Sequence, residues 1–205
     1  MIVIIDYGMG NLRSILRKFE RIKLDAIISS EKNDILKASK LILPGVGHFG
    51  QAMNNIHRLD LKSVLDEKVL HEKTPILGIC LGMQLLTGYS EEGNIKGLEW
   101  IDAITQRFDF SKNEHKLRVP HVGWNNLKLL TSSILLQNID LSKRFYFTHS
   151  YFVKCQQAEY AITETDYGIN FHSIIQKDNI YGTQFHPEKS HMYGLNIIKN
   201  FVNLS

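Results

Sequence analysis

One cysteine of this 205-residue chain stands in a setting that suits a nucleophile. Cys80 lies in the segment GICLG, between Gly78 and Gly82 and after a short apolar run. The pattern G-x-C-x-G has the layout of a nucleophile elbow, where a sharp strand-to-helix turn exposes the reactive side chain. Flanking glycines let strand and helix approach without a Cβ clash. A helix that starts there favours a thiolate, and the N–H of Leu81 is well placed to receive an oxyanion.

A base for this cysteine is indicated by the segment YGTQFHPEKS, residues 181–190. His186 ends a strand-like run, and the following proline keeps it extended. Extended residues two apart project to the same side, so Glu188 can accept a hydrogen bond from one ring nitrogen. The other ring nitrogen can then face Cys80. A cysteine, an imidazole and a carboxylate in this order form a catalytic triad.

Each segment also admits a structural interpretation. Unpaired cysteines are among the most buried residues, and His-Pro-Glu can be a strand end followed by a solvated acid. Zinc is not favoured, because the deaminase pattern H-x-E needs a later P-C-x-x-C and no cysteine follows Cys155. No H-E-x-x-H is present either. We therefore expect neither a metal nor a cofactor.

The elements that must position these residues follow from the hydrophobic pattern. In the first half, strands are predicted at residues 2–5, 26–28, 41–43 and 76–79, with helices around residues 12–19 and 61–70. This β-α-β order implies parallel strands with helices on both faces. The second half is richer in strands, at residues 101–108, 144–153, 160–163, 171–176 and 180–185, before a closing helix at 195–202. A turn at residues 177–179 suggests an antiparallel hairpin. The prediction is one α/β domain, residues 1–205, with a mostly parallel open sheet extended by antiparallel strands in the C-terminal half.

Composition excludes several classes of protein. The hydrophobic share is 43%, the charged share 22% and the formal net charge +3, which is too weak to indicate nucleic-acid binding. No apolar run is long enough for a membrane span, and the chain opens on a strand without a basic leader. We expect a cytoplasmic protein whose two cysteines are free thiols.

Taken together, the motifs resemble the class I, triad-type glutamine amidotransferases. Four further segments narrow the resemblance to the glutaminase subunits of imidazole glycerol phosphate synthase, an enzyme of histidine biosynthesis: IIDYGMGNLRS, LPGVGHFGQAM, VPHVGWNNL and FYFTHSYFV. The likeness covers nearly the whole chain in the family's order. Other members of the class usually carry Pro-Gly-Gly where this chain has Pro-Gly-Val-Gly at 44–47, which favours this subgroup.

The resemblance implies a flavodoxin-like glutaminase. Cys80 would attack the side-chain amide of glutamine, His186 would move the protons and Glu188 would hold the imidazole. An oxyanion hole would form from Val46, Gly47 and Leu81, after a peptide rotation in the loop around residue 46. The residues implied to bind glutamine are Gln84, His149, Ser150 and Tyr151.

The resemblance also implies a partner. Ammonia released into water is protonated and ceases to be a nucleophile, and the chain has no second domain that could use it. A separate (β/α)₈-barrel cyclase subunit would dock over the glutaminase site. Positions that match the family's interface are Asn11, Trp124 and Lys189. For Trp124 the alternative is an ordinary core tryptophan.

Some positions depart from the family. His48 stands where small residues are common, Thr148 where valine is frequent, and residues 191–193 are bulkier than usual. The segment GLEWIDAITQRF lacks a proline-containing form associated with the histidine pathway. The alternatives are a paralogous glutaminase that supplies ammonia to a bacterial surface-glycan pathway, a cysteine hydrolase of another kind, and a regulatory scaffold. The glutamine-binding set argues against the second, and the intact triad against the third.

Overall fold

The structure is a computed structural model that describes residues 1–111 and 117–204. Its first part contains β1 (Ile2–Ile5), α1 (Leu12–Arg21), β2 (Ala26–Ser29), α2 (Lys32–Lys37), β3 (Lys40–Gly45), α3 (Phe49–Arg58), α4 (Lys62–Asp66), β4 (Ile76–Cys80) and α5 (Leu81–Leu85). Helix α4 continues into a wider π-helical turn over Glu67–His71.

The second part is mostly β-structure. It contains β5 (Thr87–Ser90), β6 (Ile95–Lys96), β7 (Ile101–Arg107), β8 (His121–Asn126), β9 (Lys128–Leu129), β10 (Arg144–His149), β11 (Tyr151–Cys155), β12 (Ala161–Asp166), β13 (Asn170–Lys177), β14 (Ile180–Thr183) and α6 (His191–Val202). Among the described residues no helix is both long and apolar enough to cross a bilayer.

Twelve strands of the described chain form one mixed sheet, whose main path runs β2-β1-β3-β4-β14-β13-β11-β7-β5-β6. Strands β1 to β4 and β14 pair in parallel, whereas β13 and β11 continue the sheet antiparallel. Asp178 and Asn179 join β13 to β14 with Lys177 opposite Ile180, as the predicted turn requires. The predicted fold class is confirmed.

Helices cover both faces of the sheet because its strands are apolar on both sides. Phe19 of α1 and Phe201 of α6 pack in the core cluster on one face, with Ile4 and Leu77. Phe49 and Ile56 of α3, with α2 and α4, pack in the cluster on the other face. Helix α1 places Ile15 and Phe19 one turn apart, and its other positions are largely polar.

The predicted strand at 144–153 is wrong in one respect, because the chain changes sheets in its middle. It ends as β10 at His149, passes through Ser150 and resumes as β11 at Tyr151. Strand β10 pairs with β8 in a separate two-stranded sheet, whereas β11 joins the main sheet. Residues 145–147 and 151–153 are apolar or aromatic and residues 148–150 are polar, so the polar run marks the break that a single predicted strand disregards. The elements that were not predicted are α2, α3, β5, β6, β8 and β9, and the strand predicted at 180–185 ends at Thr183.

Candidate active site

Cys80 occupies a strained turn between β4 and α5. Its backbone has φ 55° and ψ −108°, which non-glycine residues rarely adopt. A Cβ on Gly82 would lie 1.7 Å from the carbonyl oxygen of Leu43, and one on Gly78 would lie 2.7 Å from the Gly82 carbonyl. Both flanking positions therefore require glycine. The elbow predicted from the pattern G-x-C-x-G is confirmed in geometry.

The imidazole of His186 is held by Glu188. Its Nδ1–H donates to Glu188 Oε1 at 2.8 Å, and both side chains are buried. Burial lowers the pKa of His186, but interaction with Cys80 and Glu188 outweighs it and raises the pKa to about 10. Contacts of the neighbouring residues place the cysteine in the same region, because β4 pairs with β14 through Ile79 and Thr183, and Cys80 Sγ lies 3.8 Å from the amide nitrogen of Gln184. The structure thus brings the three predicted triad residues to one place.

Backbone contacts fix the position of His186. Its N–H donates to the carbonyl of Tyr146 on β10 at 2.9 Å. Ser190 Oγ donates to the His186 carbonyl at 2.7 Å and accepts from the Tyr146 N–H at 2.9 Å. The histidine, which lies three residues after the end of β14, is therefore attached to β10.

A cavity of about 230 Å³ opens beside Cys80 at the carboxyl ends of the parallel strands. Open α/β sheets bind ligands at this edge. The cavity brings together Cys80, the three residues predicted for the oxyanion hole and the four predicted for glutamine. Its lining is Val46, Gly47, Cys80, Leu81, Gln84, Glu92, Pro120, Thr148, His149, Ser150 and Tyr151.

The loop after β3 reaches this cavity by a close backbone approach. Gly45 lies opposite Cys80 in the β3–β4 register, and a Cβ there would lie 2.5 Å from the Tyr7 hydroxyl and 2.8 Å from Leu81 Cβ. Gly47 has φ 125°, which favours glycine. The unusual His48 has a structural role, because its Nδ1 accepts from the Gly50 N–H at the start of α3.

Gln84 does not present a free amide nitrogen to the cavity. Its Nε2 donates to the Tyr151 carbonyl at 2.8 Å and to Gln184 Oε1 at 3.2 Å. The second bond turns the amide nitrogen of Gln184 toward Cys80, where it donates to Sγ at 3.8 Å. Sγ also lies 3.8 Å from the Thr148 carbonyl. Gln184 was missed in the sequence analysis, although it stands two residues before His186.

His149 lines the cavity with both ring nitrogens already bonded. Nδ1 contacts the Tyr151 carbonyl at 2.8 Å and Nε2 contacts His121 Nδ1 at 3.0 Å. Burial lowers the pKa of His149 to about 3, so the ring is neutral at physiological pH. The predicted polar contact between this side chain and glutamine stays a prediction.

Glu92 is a second residue that the sequence analysis missed. It places the one carboxylate among the residues that line the cavity. Its Oε2 accepts from the Phe49 N–H at 2.8 Å, where the positive end of α3 begins. Its own N–H donates to Ser90 Oγ at 3.0 Å. A fixed negative charge therefore faces the cavity.

The predicted interface residues lie on one continuous surface. Trp124 is 41% exposed, so the core alternative is wrong, and its ring stacks on His191 at 4.7 Å and 10°. Lys189 lies over the Tyr146 ring, which also contacts Trp124. Asn11 caps α1, whose side chains Lys18 and Arg21 extend this surface to Lys189 and His191. We call it the Trp124 surface: Asn11, Lys18, Arg21, Trp124, Lys189 and His191.

Fold and cavity both suit an amidotransferase, and comparison with known proteins agrees. The chain belongs to the class-I glutamine amidotransferases, because the family model described as "Glutamine amidotransferase class-I" matches residues 3–204. The names of its relatives are more specific than this family description. It is 50% identical over 202 residues to "Imidazole glycerol phosphate synthase subunit HisH 2" of Methanococcus maripaludis, covering 98% of each chain. It is 45% identical over 205 residues to "Imidazole glycerol phosphate synthase subunit HisH 1" of Campylobacter jejuni, covering all of both.

A solved structure supports the fold alone. The chain superposes on "Structure of PurLQS from Thermotoga maritima" with a TM-score of 0.71 at 15% identity, covering 98% of this chain and 97% of that one.

Proposed function

We propose that this chain is the glutaminase subunit of an imidazole glycerol phosphate synthase. It hydrolyses glutamine to glutamate and ammonia and passes the ammonia to a cyclase subunit that makes imidazole glycerol phosphate and AICAR. The observation that carries the proposal is Cys80, held at a strained elbow beside the His186–Glu188 pair and facing a cavity. The names of the full-length relatives support the pathway.

In the proposed reaction the Cys80 thiolate attacks the side-chain carbonyl carbon of glutamine. The carbon–nitrogen bond breaks, and the His186 imidazolium gives its proton to the departing ammonia, leaving a glutamyl thioester. His186 then takes a proton from water, whose oxygen attacks the thioester carbon. Glutamate leaves and the sulfur regains its resting state. The raised pKa of His186, about 10, supports an imidazolium that carries the proton for ammonia before glutamine binds.

The cavity lining supports a division of the remaining roles. The loop at Val46 and Gly47 and the start of α5 at Leu81 are the proposed oxyanion hole. The carboxylate of Glu92 suits the α-ammonium group of glutamine. Ser150 and Tyr151, at the break between β10 and β11, suit the amino-acid end of the substrate. Gln184 directs an N–H to the sulfur and suits a role in orienting the Cys80 side chain.

Transfer of ammonia requires a partner, and the Trp124 surface is the proposed docking site for a (β/α)₈-barrel cyclase. This surface carries Lys18, Arg21 and Lys189 around an exposed aromatic pair. We further propose that residues 1–205 act as one domain in the cytoplasm. Before docking, the loop at residue 46 is expected to require a peptide rotation, so the isolated chain should be nearly inactive.

The test compares the two cysteines in the complex with the cyclase. Cys80→Ala should lower glutamine hydrolysis by at least about a thousandfold, the scale for loss of a nucleophile. Cys155→Ala is the matched control, because Cys155 is also buried and burial raises its pKa to about 12. Retained turnover in Cys80→Ala would refute the nucleophile. Formation of imidazole glycerol phosphate from glutamine, rather than ammonia transfer to a sugar acceptor, separates the histidine pathway from the surface-glycan alternative.

A further inference from the structure

A buried histidine that is not among the proposed catalytic residues forms a hydrogen bond to His149 at the cavity wall. His121 is 3% exposed and lies on β8, opposite His149 of β10 in the β-ladder. Its Nδ1 is 3.0 Å from His149 Nε2, and its Nε2 is 3.4 Å from Asn125 Nδ2. No step of the proposed reaction uses it.

The two ends of this series of hydrogen bonds determine which atom donates in each bond. The Tyr151 carbonyl can only accept, so Nδ1 of His149 carries the hydrogen and Nε2 accepts. The hydrogen of the next bond must then belong to Nδ1 of His121. Its Nε2 accepts from the Asn125 amide, whose orientation is fixed because Oδ1 accepts from the Asn126 N–H at 2.8 Å. Both imidazoles are therefore neutral Nδ1–H tautomers.

Surrounding groups favour these neutral tautomers. Phe108 and Phe147 pack on the two imidazoles, and the Tyr167 ring stacks on His121 at 4.0 Å. Burial lowers the pKa of His121 to about 4. Asn125 is itself anchored, since Nδ2 donates to the Asp166 carbonyl at 2.8 Å. This series of hydrogen bonds therefore starts from a fixed backbone group on β12, the Asp166 carbonyl.

The series of hydrogen bonds ends at the Tyr151 carbonyl oxygen, which also contacts a residue that lines the cavity. The Tyr151 carbonyl accepts from His149 Nδ1 and from Gln84 Nε2, each at 2.8 Å. Gln84 in turn orients Gln184, whose amide nitrogen faces the Cys80 sulfur. The segment between His149 and Tyr151 forms part of the cavity wall.

We propose that His121 is a positioning residue for glutamine binding. By donating to His149 Nε2 it holds the His149 ring in the orientation whose Nδ1–H bonds the Tyr151 carbonyl, and so fixes the cavity wall at Ser150 and Tyr151. Without that donor, the buried Nε2 of His149 is an acceptor with no partner, which favours rotation of the ring away from the Tyr151 carbonyl. The wall loses one of its two hydrogen bonds, and glutamine binding weakens.

Two substitutions separate the donor from the ring. His121→Phe keeps an aromatic ring among its neighbours but removes the N–H. His121→Asn loses the ring but can place its Nδ2 close to the original Nδ1 and donate to His149. A residue that served only to fill space would be replaced better by phenylalanine, and a donor better by asparagine.

The experiment rests on the proposed function and uses the complex of the full chain with its cyclase. His121→Phe should raise KM for glutamine about tenfold, the scale of one lost hydrogen bond, whereas His121→Asn should stay within about threefold of the parent. Alkylation of Cys80 by iodoacetamide, a small electrophile that does not need the wall, should be unchanged in both. A KM unchanged by His121→Phe, or raised more by asparagine than by phenylalanine, would overturn the proposal.

A spectroscopic measurement keeps the two proposals separate. In ¹⁵N NMR of the parent chain, the His121 and His149 rings should both give the neutral Nδ1–H pattern at pH 7, and His121→Phe should change the pattern of His149. A parent His149 protonated at Nε2 would overturn the inference whatever the activity. Absence of glutamine hydrolysis by the parent complex would instead refute the proposed function and leave this measurement valid.

Discussion

His186 and Glu188 are joined by a 2.8 Å hydrogen bond between Nδ1 and Oε1, with both side chains buried. Among the described residues, the second carboxylate oxygen has no hydrogen-bond partner and neither does Nε2 of His186. Buried polar atoms without partners are rare in folded proteins. The imidazole is thus held at one nitrogen and left available at the other, as proton transfer to and from a substrate requires.

Glu188→Gln should leave the fold intact and lower kcat by about a hundredfold or more, with a smaller effect on KM, because the imidazolium loses its negative partner. The raised pKa of His186 stabilises the fold below about pH 6.5, and this contribution is lost as the pH rises toward about 10. The variant should therefore lose less stability than the parent over that range. Steady-state kinetics and urea unfolding at pH 7 and 9.5 measure both effects. Full activity of the variant would contradict the role of Glu188.

Gly82→Ala should disrupt the elbow, because its Cβ would lie 1.7 Å from the Leu43 carbonyl oxygen. We expect a loss of unfolding free energy above about 3 kcal/mol, or failure to fold, since backbone must move. Gly88→Ala is the matched control, as the nearest atom to its Cβ would be 3.6 Å away. Urea unfolding compares the two. Equal stability of both variants would show that the close approach of α5 to β3 is not required.

Acid should destabilise the chain through His121 and His149. Their pKa values, about 4 and about 3 in the fold, lie below the unfolded value of about 6.5. The folded state binds fewer protons between these limits, so this contribution is complete above pH 6.5 and falls as the pH drops. Urea unfolding midpoints at pH 7 and 4.5 measure it. His121→Phe should flatten this dependence, whereas the exposed control His57→Asn should not. Parallel pH profiles for all three chains would contradict the assignment.

Trp124→Ala should weaken cyclase binding about thirtyfold, the scale of an interface tryptophan at a binding hot spot. Leu36→Ala is the control, because Leu36 is 43% exposed and lies on α2, on the opposite face of the sheet from α1. Isothermal titration of each variant with the cyclase gives the dissociation constants. A Trp124→Ala variant that binds as tightly as Leu36→Ala would move the docking site elsewhere.

The features of the fold and of the site that could be predicted are those encoded by short segments of sequence. The elbow at Cys80 follows from two glycines and a strand pattern. The His186–Glu188 contact was predicted from the two-residue period of extended chain, but Pro187–Lys189 form a 3-10 turn after an extended His186, so the predicted pair is present and the predicted reason is wrong. Parallel order in the first half follows from alternating strand and helix signals. These features depend on residues close together in the chain, so local patterns are sufficient.

Contacts between distant segments were not predictable in the same way. His121 meets His149 only because β8 and β10 pair in a separate sheet, and neither the pairing nor β8 has a clear pattern in HVGWNN. Gln184 contacts Cys80 because Gln84 donates to the amide oxygen of Gln184 and so turns the amide nitrogen of Gln184 toward the sulfur. The break at Ser150 lies in a polar run, but the run does not show that the two halves join different sheets. Such features depend on tertiary placement, which overrides local preference.

The stack of Trp124 on His191 gives the protein its own optical signal. The chain has two tryptophans, and the other, Trp100, is 2% exposed and donates from its indole nitrogen to Asp66. A collisional quencher in the solvent therefore reaches the indole of Trp124 but not the buried indole of Trp100. Emission at the Trp124 surface can be followed without any attached dye, and shielding from the quencher would report the arrival of the proposed second subunit in real time.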